Sequence, residues 1–152
     1  MAKRPSYRAY EKRKMGSGRH PFHRLGHMIQ QSFMAERFAR FWQNWNPLFS
    51  YYLLYFVYRP LRKFLSRPLA LLGTFALSGG VHDLAAMLML RRLYLTFTLT
   101  FIGFALFQIL EEALGLHLKA FPRWIRPLYH LSLILLSYFL ARKLSGLYIG
   151  WA

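Results

Sequence analysis

His82 and Asp83 form an ionisable pair inside an otherwise apolar run from Pro68 to Leu90, bounded by Arg67 and by Arg91-Arg92. Histidine exchanges a proton near neutral pH, and an aspartate beside it offers a fixed charge and hydrogen-bond acceptors. The run is long enough to cross a bilayer, whose hydrocarbon core takes about 20 apolar residues. Ionisable groups at that depth are costly and are generally retained for what they do. The pair is therefore the leading candidate for chemistry. A purely structural reading stands beside it, in which His82 donates a hydrogen bond to a neighbouring helix.

On a helix His82 shares a face with Phe75, Ser78, Ala85, Ala86 and Met89, and Ser78 is the polar side chain among them. Asp83 points to a different face and is no automatic orienter of the imidazole. Gly79 and Gly80 let another backbone or an acyl chain come close just before the pair. A second constellation is Phe41-Trp42-Gln43-Asn44-Trp45-Asn46-Pro47. Its tryptophans suit headgroup contact. Asn46 sits where the aromatic helix breaks, beside a proline with no backbone donor, so its amide is free to serve a ligand or a turn.

The composition describes what must position these residues. The chain has 152 residues, is 55% hydrophobic and 18% aromatic, and still carries a formal net charge of +16. Segregation reconciles the two: basic clusters (59–67, 91–92, 119–126, 142–143) punctuate apolar runs, as in a membrane protein with cationic loops. Spans are expected at 68–90, 93–110 and 128–141, the last continuing to 149 if Arg142 and Lys143 snorkel. Thr96, Thr100, Gly103 and Glu111 make a small-and-polar stripe that suits packing on a neighbouring helix. Residues 28–46 read as an amphipathic interfacial helix, and 48–58 as a re-entrant, interfacial or tilted segment too short to span. The fold class is thus an all-α, multi-pass integral membrane bundle of about three spanning helices plus an interfacial or re-entrant segment.

Residues 1–27 read as a flexible basic arm, with Gly16-Ser17-Gly18 as its loose point, lying against anionic headgroups on the cytoplasmic side. Residues 28–152 are the membrane-embedded domain. No nucleic acid is expected as partner, because a membrane body is attached. His20, His23 and His27 lack a nearby acidic residue or cysteine, so no metal site is expected there. The absence of cysteine excludes disulfides, thiolate metal sites and an acyl-cysteine intermediate.

The order of motifs carries a resemblance. Glu36-Arg37-Phe38-Ala39-Arg40-Phe41-Trp42-Gln43-Asn44-Trp45-Asn46 precedes an aromatic run and Val57-Tyr58-Arg59-Pro60-Leu61. Then comes Phe75-Ala76-Leu77-Ser78-Gly79-Gly80-Val81-His82-Asp83, and later Phe107-Gln108-Ile109-Leu110-Glu111-Glu112. This resembles the membrane-bound O-acyltransferase family, its wax-synthase-like branch above all, over about residues 36–115. The family's invariant histidine falls on His82 and its upstream Asn or His on Asn46.

The resemblance implies transfer of an acyl group from a thioester, acyl-CoA or an acyl carrier, to a hydroxyl of a lipid or long-chain alcohol. His82 would be general base, with Asn46 holding the thioester carbonyl or the acceptor. Ser78 and Asp83 would support them, Trp42 and Trp45 would frame the channel mouth, and Arg59, with Arg62 and Lys63, would meet donor phosphates. No cofactor is implied beyond the thioester co-substrate. Family members generally place many spans before the FW element, whereas a basic arm precedes it here. The resemblance is therefore to the C-terminal half of such an enzyme, completed by a second membrane subunit or by homo-oligomerisation. The alternative is a non-catalytic or partner-dependent membrane subunit or lipid-binding scaffold.

Overall fold

A computed structural model describes residues 5–15, 21–91 and 95–149. The Gly16-Ser17-Gly18 point, His20 and Arg92 lie outside them. Among the described residues every regular element is helical: α1 (Tyr7–Met15), α2 (Pro21–Phe33), α3 (Phe38–Asn44), α4 (Pro47–Tyr52), a π-helical stretch (Leu53–Tyr58), α5 (Arg59–Leu61), α6 (Arg67–Leu90), α7 (Thr96–Ala113), a 3-10 turn (Leu118–Ala120) and α8 (Ile125–Ile149).

Helices α6 and α7 are long and apolar enough to cross a membrane. Helix α8 has 25 residues, with Arg126 in its first turn and Arg142-Lys143 near its end. The three pack side by side, and small residues set how closely. At Gly79 a Cβ would stand 2.6 Å from the Thr98 Cα and 2.7 Å from the Phe97 carbonyl oxygen, so the α6–α7 crossing admits only glycine. Gly80 is looser, with the Thr98 hydroxyl 3.8 Å from such an atom. The stripe on α7 faces α8: Thr96 Oγ1 lies 3.1 Å from Ser145 Oγ, Gly103 abuts Ser137, and Glu111 accepts from the Tyr129 hydroxyl. These pairs step in opposite directions along the two helices, which are therefore antiparallel.

Asp83 starts α7. Its Oδ1 accepts from the Phe97 N–H at 2.9 Å and its Oδ2 from the Thr98 N–H at 2.7 Å. The first N–H groups of a helix lack intrahelical acceptors, and α7 has no cap from its own Leu95. A carboxylate one helix away supplies both bonds and complements the positive end of the helix dipole.

The interfacial helix expected over 28–46 is instead two helices. Helix α2 ends at Phe33 and α3 begins at Phe38, with an extended Arg37 between them. Distant groups hold this break open. His130 Nε2 donates to the Ala35 carbonyl at 2.9 Å, Arg126 to that of Met34 at 3.1 Å, and the Leu118 N–H to that of Glu36 at 3.0 Å. The freed N–H of Phe38 goes to Glu111. Backbone polarity lost from one continuous helix is thus recovered from α7, α8 and their connection.

The segment 48–58 is helical, and with its neighbours it runs from Pro47 to Leu61 through the π-helical stretch. The basic N-terminal stretch is helical in its described parts, and a boundary at residue 27 falls inside α2. Helix α1 rests on α4: the Tyr51 hydroxyl donates to the Pro5 carbonyl at 2.8 Å, and Tyr7 and Tyr10 pack edge-on against the Tyr51 ring.

The buried core is aromatic and small: Ala35, Phe38, Phe41 and Phe104, with Trp42, Trp45, Phe75 and Phe101 around it. By contrast Leu77, Val81, Leu84 and Leu88 on α6 are exposed, as are Leu128, Leu131, Leu135 and Phe139 on α8. A large apolar exterior over helices whose backbone groups are paired is what hydrocarbon solvent selects.

Candidate active site

A cavity of about 510 Å³ lies between α1, α3, α4, α6 and α7. One face of α6 lines it through Arg67, Leu71, Thr74, Phe75, Ser78 and His82. From Arg67 to His82 is 15 residues, about 22 Å at the rise of an α-helix. The lining is therefore elongated, with charged side chains (Arg67, Arg37, Glu112) towards one end and His82 towards the other.

The tautomer of His82 follows from its hydrogen bond. Nδ1 lies 2.7 Å from the carbonyl oxygen of Ser78, one turn earlier on the same helix. A carbonyl can only accept, so Nδ1 carries the proton, and in the neutral ring Nε2 holds a lone pair. The rings of Phe101 (5.1 Å between centroids), Phe97 (5.8 Å) and Phe49 (6.2 Å) fix the imidazole laterally. The hydrogen bond expected from a structural histidine is thus made within its own helix, and it leaves the other nitrogen available.

Asn46 stands at the junction of α3 and α4 in the left-handed region, φ 44°, where asparagine is tolerated better than most residues. Its Oδ1 accepts from the Phe49 N–H at 3.3 Å and caps α4, with Pro47 in the first turn. That fixes the side chain and leaves its N–H2 group without a partner among the described residues. Asn46, Trp42, Trp45, Ser78 and His82 all line the one cavity.

Trp42 and Trp45 pack against the aromatic core. Trp42 stacks on Phe104 at 4.6 Å and meets Phe75 and Phe101 at 5.9 Å, while Trp45 stacks on Phe41 at 5.7 Å. Trp42 Nε1 is buried and has no hydrogen-bond partner among the described residues.

Two expected site residues are elsewhere. Asp83 is buried, spends both oxygens on the start of α7, and does not line the cavity. Arg59 also lies outside the lining, its guanidinium 4.3 Å above the Tyr55 ring. Arg62 turns back to the Leu65 carbonyl at 2.6 Å. The cations that do line the cavity are Lys14, Arg37 and Arg67. Burial, reinforced by Arg40, holds the Lys14 ammonium below the usual lysine range. Arg67 forms an ion pair with Glu112 at 2.5 Å.

Gln108 is the residue that reading the sequence missed. It is buried, lines the cavity, and its Nε2 has no hydrogen-bond partner among the described residues. A buried donor left unpaired costs free energy, and such groups ask for a ligand. The signal was available: an amide in the middle of an apolar run, seven residues after Phe101 and so on its face. Among the described residues no group of three or more His, Asp or Glu stands close enough to hold a metal.

The sequence model of the MBOAT, membrane-bound O-acyltransferase, family matches residues 27–149, from the middle of α2 to the end of α8. No curated protein matches the chain. No solved structure matches it either.

Proposed function

Because the chain belongs to the membrane-bound O-acyltransferase family, we propose that its cavity transfers an acyl group from a thioester to the hydroxyl of a lipid or long-chain alcohol, with His82 as general base. The observation that carries this is the Nδ1 bond to the Ser78 carbonyl, which fixes the imidazole and presents an unprotonated Nε2. Nε2 takes the hydroxyl proton as the acceptor oxygen attacks the thioester carbonyl carbon. The tetrahedral oxyanion collapses, the C–S bond breaks, and the thiolate takes the proton back from Nε2. Ester and free thiol leave, and His82 is restored. No covalent enzyme intermediate is needed, in keeping with a chain that has no cysteine.

The carbonyl oxygen needs donors as its charge develops. Asn46 Nδ2, Gln108 Nε2 and Trp42 Nε1 are unspent donors on the cavity wall. Lys14, Arg37 and Arg67 replace Arg59 as the cations that would meet donor phosphates. The apolar length between Arg67 and His82 suits an extended thioester chain, on a coenzyme or on a carrier.

Helix α8 serves as a third span, with Arg142 and Lys143 snorkelling to the far boundary. The greater basic mass lies at the Arg67 end of α6, and this supports a cytoplasmic location for that end and for the N-terminal stretch. The relationship is to the wax-synthase-like branch. The exposed row Leu77, Val81, Leu84 and Leu88 is the face on which a second subunit or a second copy would pack.

The test is acyl transfer in membranes of a host without such activity, using labelled acyl-CoA and a panel of long-chain alcohols, sterols and diacylglycerol. Ester from the wild type and none from equally abundant His82→Ala supports the reading. Ester from both overturns His82 as base. Ester from neither, with normal insertion, moves the chain to a partner-dependent or non-catalytic subunit.

A further inference from the structure

A second cavity, of about 610 Å³, opens between the α2–α3 break and the connection from α7 to α8. Arg37, Arg40, His117, Lys119 and Arg126 line it, against a single carboxylate, Glu36. The chain has five acidic residues, and all are committed: Glu11 to Arg24, Glu112 to Arg67, Glu36 to Arg126 at 3.8 Å, and Asp83 and Glu111 to helix starts. Arg40 and Lys119 are thus in no ion pair among the described residues. Arg126 is largely buried, donates from one amino group to the Met34 carbonyl, and has a buried Nε with no partner. Arg37 donates from Nε to His117 Nδ1 at 2.6 Å and its Nη2 lies 2.5 Å from His117 Nε2, so this edge of the guanidinium is held by the ring at the cavity wall. Cations brought together from three parts of the chain repel one another, and an anion relieves this.

The position narrows the anion. This connection joins the ends of two consecutive long apolar helices, so it lies at headgroup level. Phe121 and Trp124 beside it are 52% and 66% exposed, as in an interfacial aromatic belt. We propose that this cavity binds the phosphate of an anionic membrane phospholipid. Arg40 and Lys119 offer unpaired cationic groups to the phosphodiester oxygens, and Arg37 and Arg126 add positive charge beside them. The acyl chains run down the exposed apolar exterior of α8. The site is separate from the acyl-transfer cavity and shares with it the Arg37 side chain. It stands whether or not the chain is catalytic.

The test is native mass spectrometry of the full chain in neutral detergent, titrated with phosphatidylglycerol, with phosphatidylcholine as reference. Arg40 and Lys119 are exposed, so the double variant Arg40→Glu/Lys119→Glu keeps the fold. It is expected to weaken phosphatidylglycerol retention by at least about tenfold. The control Arg62→Glu/Lys63→Glu, with the same change of charge outside the cavity, is expected to leave it within about twofold. Equal loss in both variants means a diffuse basic surface and overturns the site. Displacement of the lipid by equimolar inorganic phosphate, or by coenzyme A, means a soluble phosphate ligand and overturns the lipid assignment. Equal retention of phosphatidylcholine overturns the charge argument.

Discussion

Glu111 holds the start of the helix that carries Trp42: the N–H of Phe38 lies 2.9 Å from both of its carboxylate oxygens. Tyr129 on α8 donates to the same carboxylate at 3.2 Å, so three helices meet at one buried acid. The bond sets the angle at which α3 enters the bundle, and with it the depth of Trp42 against Phe104. Glu111→Ala is expected to destabilise the protein by about 3 kcal/mol, through a lost cap and an orphaned N–H. Glu111→Gln keeps an acceptor and is expected to lose roughly half of that. Thermal unfolding in detergent, followed by near-ultraviolet circular dichroism of the tryptophans, measures both.

Asp83 makes the same kind of bond at the other end of α7, and this decides how its variants behave. Asp83→Ala removes two charge-assisted hydrogen bonds to the first turn, an expected loss of about 2–3 kcal/mol. Since the carboxylate is outside the cavity, ester formation per folded molecule is expected to stay within about threefold of wild type. A loss of turnover much larger than the loss of folded protein would return Asp83 to the substrate.

Gly79 and Gly80 separate what a sequence cannot. Gly79→Ala drives a Cβ into the Thr98 and Phe97 backbone, where no side chain can yield. The expected cost is about 3 kcal/mol, with the α6–α7 crossing forced apart. Gly80→Ala meets only the Thr98 hydroxyl at 3.8 Å and is expected to be neutral or slightly stabilising, since alanine favours helix. Unfolding midpoints of the two single variants make the comparison.

Much of this arrangement was legible beforehand, for identifiable reasons. Apolar runs long enough to span gave α6 and α7. The interval from Thr96 to Gly103 gave the face that packs on α8, and the Asn46-Pro47 break gave the junction of α3 and α4. Such features are local, written in a few neighbouring residues. The α2–α3 break was not legible, because His130, Arg126 and Glu111, which satisfy its backbone, are 73 to 95 residues away. Asp83 was read towards substrate because its acceptors' partners, the N–H groups of Phe97 and Thr98, leave no trace in side-chain identity. Arg59 was read towards phosphate from its charge alone, and its seat on the Tyr55 ring depends on the path of the π-helical stretch.

Gln108 gives the test in which stability and activity move in opposite directions. Its Nε2 is buried without a partner, so the free protein holds an amide that nothing rewards. Gln108→Leu has a similar volume and removes that unpaired donor. The expected change in folding stability is zero to about 2 kcal/mol in favour of the variant. Turnover is expected to fall about tenfold to a hundredfold, because the proposed reaction loses a donor to its oxyanion. Gln108→Glu places a negative charge where the proposed reaction develops one, and is expected to be worse than leucine. Unfolding midpoint and ester formation measured on the same preparations decide it. A variant less stable than wild type with turnover unchanged would mean that Gln108 is packing rather than chemistry, and the carbonyl would fall to Asn46 and Trp42.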